Sequence, residues 1–296
     1  MVQNKLHGTG VALVTPFKAD GNIDFAGLDN LLKFTAEKGV DYYVVMGTTG
    51  ESVTLSGKEK RQILEHVRST NENGLPVVYG IGGNNTADIL DQIRSTDLSM
   101  VDAILSVSPY YNKPSQEGIF RHYTHIADGS PLPLILYNVP GRTGSNLSAE
   151  TTLRLSEHDN ILGIKEASGN LEQALRIIKH KPEDFMLISG DDLLTVPLYS
   201  IGAVGVISVL ANAFADIFKS IKEYVNAADF HSATTELIRL TDINPLMYEQ
   251  SNPVGIKQVL SEFGVCQNYV RLPLVPASDE LQGKVRKALE FMKQYS

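Results

Sequence analysis

The feature that most constrains the fold is a repeated alternation of short apolar runs with amphipathic stretches, from residue 8 to about residue 226. The apolar runs are rich in Val, Ile and Leu and are bounded by polar or glycine-containing turns, as expected of strands buried on both faces of a parallel sheet. The stretches between them have apolar residues at helical spacing. The runs cover residues 11–14, 42–46, 77–79, 103–107, 134–137, 161–164, 186–188 and 205–208.

Eight such units at nearly constant spacing predict a (β/α)8 TIM barrel. A doubly wound open sheet is the competing topology, but it more often has a glycine-rich turn after its first strand, where this chain has Thr15-Pro16-Phe17. After Asn226 the strand pattern stops and only helices are predicted, one of them with Asn252 as N-cap and Pro253 at its first position. We therefore predict a barrel over residues 1–226 and a C-terminal helical extension over residues 227–296.

Composition restricts the possible partners. The formal net charge of −8 argues against a nucleic-acid partner, which usually requires a basic face. No apolar run approaches the length that spans a membrane, and no basic run suggests an anionic membrane surface. The single cysteine, Cys266, excludes an intramolecular disulfide and fits a reducing compartment. These features predict a cytoplasmic protein that acts on small molecules.

Chemistry-bearing side chains gather where the predicted strands end. Active sites of TIM barrels lie at the C-terminal ends of the strands. In this chain those ends carry two adjacent threonines, several phenols, an arginine and a lysine. The relevant runs are Gly47-Thr48-Thr49-Gly50-Glu51-Ser52, Pro109-Tyr110-Tyr111, Tyr137-Asn138-Val139-Pro140-Gly141-Arg142, Lys165-Glu166, Gly190-Asp191-Asp192 and Ile207-Ser208.

Lys165 is the principal candidate. It ends the apolar run 161–164, and burial of an ammonium favours the neutral amine, which is a nucleophile toward carbonyl carbon. The alternative is that Lys165 extends to a surface carboxylate, for which Glu166 is adjacent. The other strand ends favour the nucleophile.

The remaining candidates also have structural alternatives. The Gly47-Thr48-Thr49-Gly50 run could be a plain turn, or its backbone N–H groups could hold a carboxylate. Tyr110, Tyr111 and Tyr137 could be core aromatics whose phenols need partners, which the threonines could supply. Arg142 could be an exposed loop charge.

Cofactor and metal motifs are weak. Asp191-Asp192 is better explained as a helix cap than as a metal site. His122 and His125 share a helix face, which we predict to be solvated, and Gly80-Ile81-Gly82-Gly83-Asn84-Asn85 fits a tight turn better than a dinucleotide loop. The sequence has no nucleophile-elbow serine, P-loop or zinc signature. We therefore predict chemistry without a metal or cofactor.

Taken together, four motifs resemble the dihydrodipicolinate synthase / N-acetylneuraminate lyase family, (β/α)8 enzymes that form a Schiff base with pyruvate. The motifs are Gly47-Thr48-Thr49-Gly50-Glu51, Pro109-Tyr110-Tyr111, Tyr137-Asn138-Val139-Pro140 and Gly163-Ile164-Lys165-Glu166-Ala167. The resemblance runs nearly end to end. It implies catalytic roles for Lys165 as the Schiff-base nucleophile, Tyr137 as proton shuttle, and Thr48, Thr49 and Tyr111 as a proton relay. It implies substrate binding by Thr48, Thr49, Arg142, Gly190 and Ile207.

The run Gly141-Arg142-Thr143-Gly144 resembles the synthase branch of the family. This implies condensation of pyruvate with L-aspartate 4-semialdehyde to hydroxytetrahydrodipicolinate in lysine biosynthesis, by a homotetramer to which Tyr111 contributes across a subunit contact. A lyase of N-acetylneuraminate or an aldolase of 2-keto-3-deoxy sugar acids is the alternative enzyme, and Arg142 discriminates between them. A small-molecule-sensing barrel is the non-enzyme alternative, although a sensor needs no nucleophile.

The resemblance also implies a regulatory site. Ser52, Asn84, Asp88 and Tyr110 occupy positions where feedback-inhibited synthases bind lysine. Gly57 and Lys60 replace two frequent histidines there, and a cationic Lys60 disfavours a cationic effector. We predict weak or absent inhibition by lysine.

Overall fold

A computed structural model describes residues 2–294, which contain eight strands and thirteen α-helices. The strands are β1 Gly8–Ala12, β2 Tyr42–Val45, β3 Val77–Gly80, β4 Ala103–Val107, β5 Leu134–Asn138, β6 Ile161–Glu166, β7 Met186–Ser189 and β8 Gly205–Ser208. The helices are α1 Val2–Lys5, α2 Phe25–Glu37, α3 Gly57–Thr70, α4 Thr86–Ser95, α5 Gln116–Gly129, α6 Pro140–Thr143, α7 Ala149–Ser156, α8 Leu171–His180, α9 Thr195–Ser200, α10 Ala211–Asn226, α11 Phe230–Ile238, α12 Val254–Glu262 and α13 Asp279–Gln294.

The strands close into a barrel in sequence order, which confirms the predicted (β/α)8 fold. Neighbouring strands are parallel, as the register of β5, β6 and β7 illustrates: Lys165 pairs with Tyr137 on one side and with Ile188 on the other. Nearly every strand residue is buried. This burial on both faces is the reason that the strands read as continuous apolar runs rather than as alternating patterns.

The chain forms two compact units. The first comprises Met1–Gly8 and Pro76–Ile207, and it contains β3 to β7 and most of β8. Its helices α4, α5, α7 and α8 pack as successive neighbours, and each begins at a side-chain cap. The caps are Asn85, Ser115, Ser148 and Asn170, whose side chains accept hydrogen bonds from backbone N–H groups of the first turn.

The second unit comprises Thr9–Leu75 and Ser208–Ser296. In it α10 packs against α2, α11 and α12, and α12 packs against α13. The capping box predicted at Ser56 and Glu59 is present at the start of α3. The predicted cap at Asn252 is wrong, because α12 begins at Val254 after Pro253 and has no side-chain cap. The predicted domain boundary at Asn226 stays a prediction.

Across residues 2–294, no helix combines the length and the apolar character needed to span a bilayer.

Candidate active site

Lys165 lies near the end of β6, and its side chain is buried. The residue is 5% exposed, and its Nζ lies 4.4 Å from the centroid of the Tyr137 ring. Tyr137 is its register partner on β5 and is 7% exposed. No carboxylate within residues 2–294 pairs with Lys165. The structure therefore places a buried, unpaired amine against a buried phenol.

The adjacent carboxylate of Glu166 is directed elsewhere, because successive strand residues point to opposite faces. Glu166 accepts hydrogen bonds from Asn138 Nδ2 at 3.1 and 3.2 Å, from Gln173 Nε2 at 2.9 Å and from the Ser168 backbone N–H at 2.6 Å. These neutral donors satisfy a carboxylate that is only 3% exposed. The alternative in which Glu166 neutralises Lys165 is therefore wrong.

Gly190 leaves space beside the amine. A Cβ atom at this position would lie 3.0 Å from Lys165 Cε and 2.6 Å from Ala167 Cβ, so any larger residue would crowd the lysine. The Gly190 backbone N–H donates to the Glu166 carbonyl over 2.8 Å. Ile207 lies on β8 and is 1% exposed. Both residues belong to strand ends, as the predicted substrate contacts require.

Arg142 lies on the one-turn helix α6 that follows β5. Its side chain is exposed and makes no hydrogen bond or ion pair with the described residues. The turn that carries it is nevertheless fixed: Thr143 Oγ1 donates to the Ser145 carbonyl over 2.7 Å, and Asn138 Nδ2 donates to Asn146 Oδ1 over 2.8 Å. A free guanidinium on a fixed turn can bind an external carboxylate through two parallel hydrogen bonds.

Tyr111 differs from the other candidates because it is 88% exposed. It adopts a left-handed backbone conformation with φ of 70°, which is uncommon for a residue with a bulky side chain. Hydrogen bonds hold the loop around it. Asn84 Nδ2 donates to the Tyr110 carbonyl over 3.3 Å, and Asn112 Nδ2 donates to the Asn84 carbonyl over 3.1 Å. The ring of Tyr111 is thus presented to solvent by a fixed loop.

In the second unit, the segment after β2 forms a 3₁₀ turn over Thr48–Gly50. Thr48 is exposed, whereas Thr49 is 3% exposed and its Oγ1 accepts a hydrogen bond of 3.1 Å from Asn252 Nδ2. Thr15 Oγ1 donates to the Gly50 carbonyl over 2.7 Å. The turn therefore presents one free and one restrained hydroxyl.

Glu51, which ends this turn, makes a buried ion pair that sequence reasoning missed. Lys257 Nζ lies 2.5 Å from Glu51 Oε1, and the two side chains are 0% and 2% exposed. Lys257 also donates to the Tyr269 carbonyl over 2.8 Å and lies 4.2 Å from the centroid of the Phe17 ring. Burial lowers the pKa of Lys257, and the Glu51 carboxylate opposes that shift. The sequence does contain one indication of this ion pair: Lys257 is the single charged residue within the largely apolar run 254–260.

The predicted regulatory residues occur in both units. In the second unit Ser52 is partly buried. On helix α3 of the same unit Gly57 is exposed, and burial lowers the pKa of Lys60. In the first unit Asp88 is exposed in the first turn of α4, and Asn84 is bonded to Tyr110 as described above. Their role in lysine binding stays a prediction.

Two other predictions concerned metal ligands and caps. Asp191 accepts a hydrogen bond from the Leu193 backbone N–H and is a cap, as predicted. The prediction that His122 lies on a solvated face is wrong: it is 7% exposed, contacts Thr86 Oγ1 at 2.9 Å, and burial lowers its pKa to about 4. His125 is exposed. Within residues 2–294, no three His, Cys, Asp or Glu side chains are grouped so that they could hold a metal ion.

Comparison with known proteins identifies close relatives. A model of the dihydrodipicolinate synthetase family matches residues 5–292. The curated 4-hydroxy-tetrahydrodipicolinate synthase of Cytophaga hutchinsonii is 53% identical over 98% of each chain. Among solved structures, a monomeric dihydrodipicolinate synthase variant aligns with a TM-score of 0.94, at 33% identity over 98% of each chain. The chloride-inhibited dihydrodipicolinate synthase of Acinetobacter baumannii, in complex with pyruvate, also aligns with a TM-score of 0.94, at 36% identity over 97% of this chain and 99% of that chain.

Proposed function

The chain belongs to the dihydrodipicolinate synthetase family, and we propose that Lys165 binds pyruvate as a Schiff base for condensation with L-aspartate 4-semialdehyde. The activity is that of a 4-hydroxy-tetrahydrodipicolinate synthase, a lyase of the diaminopimelate route to lysine. The observation that supports Lys165 as the nucleophile is its burial beside Tyr137, with no carboxylate partner among residues 2–294. A lysine Nζ that no carboxylate engages is free to attack a ketone carbon.

The first half of the proposed reaction activates pyruvate. Lys165 Nζ attacks the ketone carbon, and loss of water gives an iminium ion. Removal of a proton from the methyl group then gives an enamine. Tyr137 carries protons in both steps, and Thr48, Thr49 and Tyr111 connect it to solvent. The backbone N–H groups of Thr48 and Thr49 hold the pyruvate carboxylate, and the Gly190 and Ile207 main chain lines the pocket.

In the second half, the enamine carbon bonds to the aldehyde carbon of the semialdehyde, and the aldehyde oxygen takes up a proton. The amine of the semialdehyde then attacks the iminium carbon. This step closes a six-membered ring and releases Lys165 as a free amine. Arg142 holds the carboxylate of the semialdehyde, a role supported by its free guanidinium on a fixed turn.

Reduction by borohydride in the presence of pyruvate, followed by peptide mass spectrometry, tests the proposal. We expect a reduced pyruvate adduct on Lys165 alone. Lys165→Ala should give no adduct and should lower turnover more than about 10³-fold, because the covalent route is lost. Lys179→Ala, an exposed lysine on α8, is the matched control and should react normally. Turnover by Lys165→Ala at the normal rate would exclude the mechanism.

The sugar-acid aldolases are not favoured, since the curated relatives at up to 53% identity are named 4-hydroxy-tetrahydrodipicolinate synthases. Arg142→Ala assayed with both types of substrate separates the two activities. A selective loss with the semialdehyde supports Arg142 as its ligand, whereas an equal loss with both substrates contradicts that role.

We also propose that the protein works as a homotetramer in the cytoplasm. Support for assembly comes from Tyr111, whose ring is 88% exposed on a loop fixed by hydrogen bonds and is free to enter a neighbouring copy. Support for a reducing compartment comes from Cys266, the single cysteine of the sequence, which is a free thiol. Light scattering at assay concentration tests the tetramer, and a monomer with full activity would contradict it.

A further inference from the structure

The side chain of Thr49 is held by a residue distant in sequence. Asn252 Nδ2 donates to Thr49 Oγ1 over 3.1 Å, in a buried hydrogen bond between residues 203 positions apart. Both residues are nearly inaccessible, at 3% exposure for Thr49 and 6% for Asn252. Asn252 does not cap α12, and within residues 2–294 its Oδ1 accepts no hydrogen bond. The hydrogen bond to Thr49 is therefore the side-chain contact that satisfies the buried Nδ2 group of Asn252.

The direction of this hydrogen bond determines what Thr49 can do. A hydroxyl has a single hydrogen and two acceptor lone pairs. Because Asn252 donates to the oxygen, the hydrogen of Thr49 stays free to donate to another group. A carboxylate is a strong acceptor for such a donor, since charge-assisted hydrogen bonds are roughly twice as strong as neutral ones.

The main chain on both sides of the contact is also fixed. Glu51 has a left-handed conformation with φ of 52°, which an L-residue adopts only when its surroundings hold it there. Lys257 Nζ, 2.5 Å from Glu51 Oε1, and the Arg271 backbone N–H, 2.9 Å from Oε2, provide that restraint. Lys257 lies one turn into α12, shortly after Asn252. The ion pair therefore sets the position of Asn252 relative to Thr49.

We propose that Asn252 is a positioning residue for pyruvate binding: it holds the Thr49 hydroxyl as a hydrogen-bond donor to the pyruvate carboxylate. The inference rests on the proposed function, which assigns pyruvate to the turn that contains Thr49. It also gives the C-terminal extension a part in substrate binding, in addition to packing.

Two substitutions of Asn252 test the direction of the bond. Asn252→Asp keeps the shape but can only accept, so the Thr49 hydrogen turns toward the new carboxylate and is lost to substrate. We expect the KM for pyruvate to rise about tenfold or more, since a hydrogen bond to a charged group is lost and a negative charge is added. Asn252→Ala leaves the hydroxyl free to rotate, and we expect a rise of about threefold. In both variants the KM for the semialdehyde should be unchanged.

Selectivity for pyruvate separates positioning from simple packing. A purely structural role predicts that both variants lower stability without a selective rise in the KM for pyruvate, and urea denaturation measures that loss. Asn268→Asp is the matched control: Asn268 Nδ2 donates to Gln258 Oε1 over 2.7 Å in the same extension, and this variant should bind pyruvate normally. An effect of Asn252→Ala equal to or larger than that of Asn252→Asp would overturn the proposal.

Thr49→Val removes the hydroxyl itself. This variant therefore tests the proposal even if the Asn252 variants fold poorly. We expect Thr49→Val to raise the KM for pyruvate by itself, and the neutral substitution Asn252→Ala to add nothing in that background. An unchanged KM in Thr49→Val would overturn the proposal. Borohydride trapping at saturating pyruvate distinguishes this failure from failure of the proposed function. If only the inference fails, the adduct still forms on Lys165, whereas without Schiff-base chemistry even the unsubstituted protein forms none.

Discussion

Two buried carboxylates next to proposed catalytic residues are stabilised in different ways. Glu166, beside Lys165, accepts hydrogen bonds from the neutral groups of Asn138, Gln173 and Ser168, which are separated from it by 28, 7 and 2 positions. Glu51, beyond Thr49, is paired with the cation of Lys257, 206 positions away. Glu166 is thus satisfied by amide groups from residues within 28 positions of it in sequence. Glu51 is satisfied by a lysine 206 positions away.

The difference shows what each arrangement allows. Neutral donors stabilise Glu166 without a cation, and no carboxylate in the described part of the chain pairs with its neighbour Lys165. A cation at Glu51 instead ties a turn with a left-handed residue to helix α12. A buried ion pair is costly to break because the remaining charge has no partner. The two sites should therefore respond to substitution with different magnitudes.

Lys257→Met should have the largest effect on stability. It leaves Glu51 buried without its cation, and we expect the free energy of unfolding to fall by about 3–5 kcal/mol. Urea denaturation measures this loss. Lys284→Met, which breaks solvent-accessible ion pairs with Glu249 and Glu280, is the control and should change stability by about 1 kcal/mol or less. Addition of Glu51→Gln to Lys257→Met should recover part of the loss. If Lys257→Met lowers the free energy of unfolding by no more than Lys284→Met does, the proposed contrast between the two carboxylates is wrong.

Glu166→Gln should have a smaller effect. The amide is isosteric, but its NH₂ group faces the donors of Asn138 or Gln173, so about 1–3 kcal/mol of stability should be lost. The same denaturation experiment measures it. Glu172→Gln, on the exposed face of α8, should be neutral. A loss larger than that of Lys257→Met would reverse the comparison.

Stability at acid pH tests a second ion pair, between Glu59 on α3 and Arg271, whose backbone N–H donates to Glu51. A hydrogen bond from Arg271 lowers the pKa of Glu59 from 4.5 to about 2. A carboxyl whose pKa is lower in the folded state stabilises the protein above its unfolded pKa. This contribution should disappear as the pH falls from about 4.5 toward 2. Because solvent reaches the pair, we expect about 1 kcal/mol or less. Urea titrations across this range should show that Glu59→Gln flattens this part of the pH profile, and an unchanged profile would contradict the assignment.

Inhibition of the initial rate by lysine should be the smallest of the effects considered. We expect little or no inhibition of the initial rate by lysine, because Lys60 places a second cation among the predicted effector residues. Lys60→Ala should not reduce inhibition and could only strengthen it. Strong inhibition at sub-millimolar lysine would refute the prediction.

The barrel was predictable because each strand is buried on both faces, so burial and sequence pattern carry the same information. The strand ends were predictable for the same reason: once the strands are located, Lys165, Tyr137 and Arg142 follow from their positions. His122 and Asn252 were wrongly assigned because local patterns cannot reveal which side chains other elements cover. A histidine on an amphipathic helix and an asparagine before a proline look the same whether they face solvent or a buried hydroxyl.

The sequence by itself determined the strand–helix order, the fold and the family motifs, because these depend on local periodicity and on residues close together in the chain. Only the tertiary structure decided that Glu166 bonds to amides rather than to Lys165, and that Lys257 and Asn252 hold the turn containing Thr49. Those contacts join residues up to about two hundred positions apart, as in the pair of Asn252 and Thr49 at a separation of 203. These contacts form because burying a charge or an amide without a hydrogen-bond partner raises the free energy of the folded state.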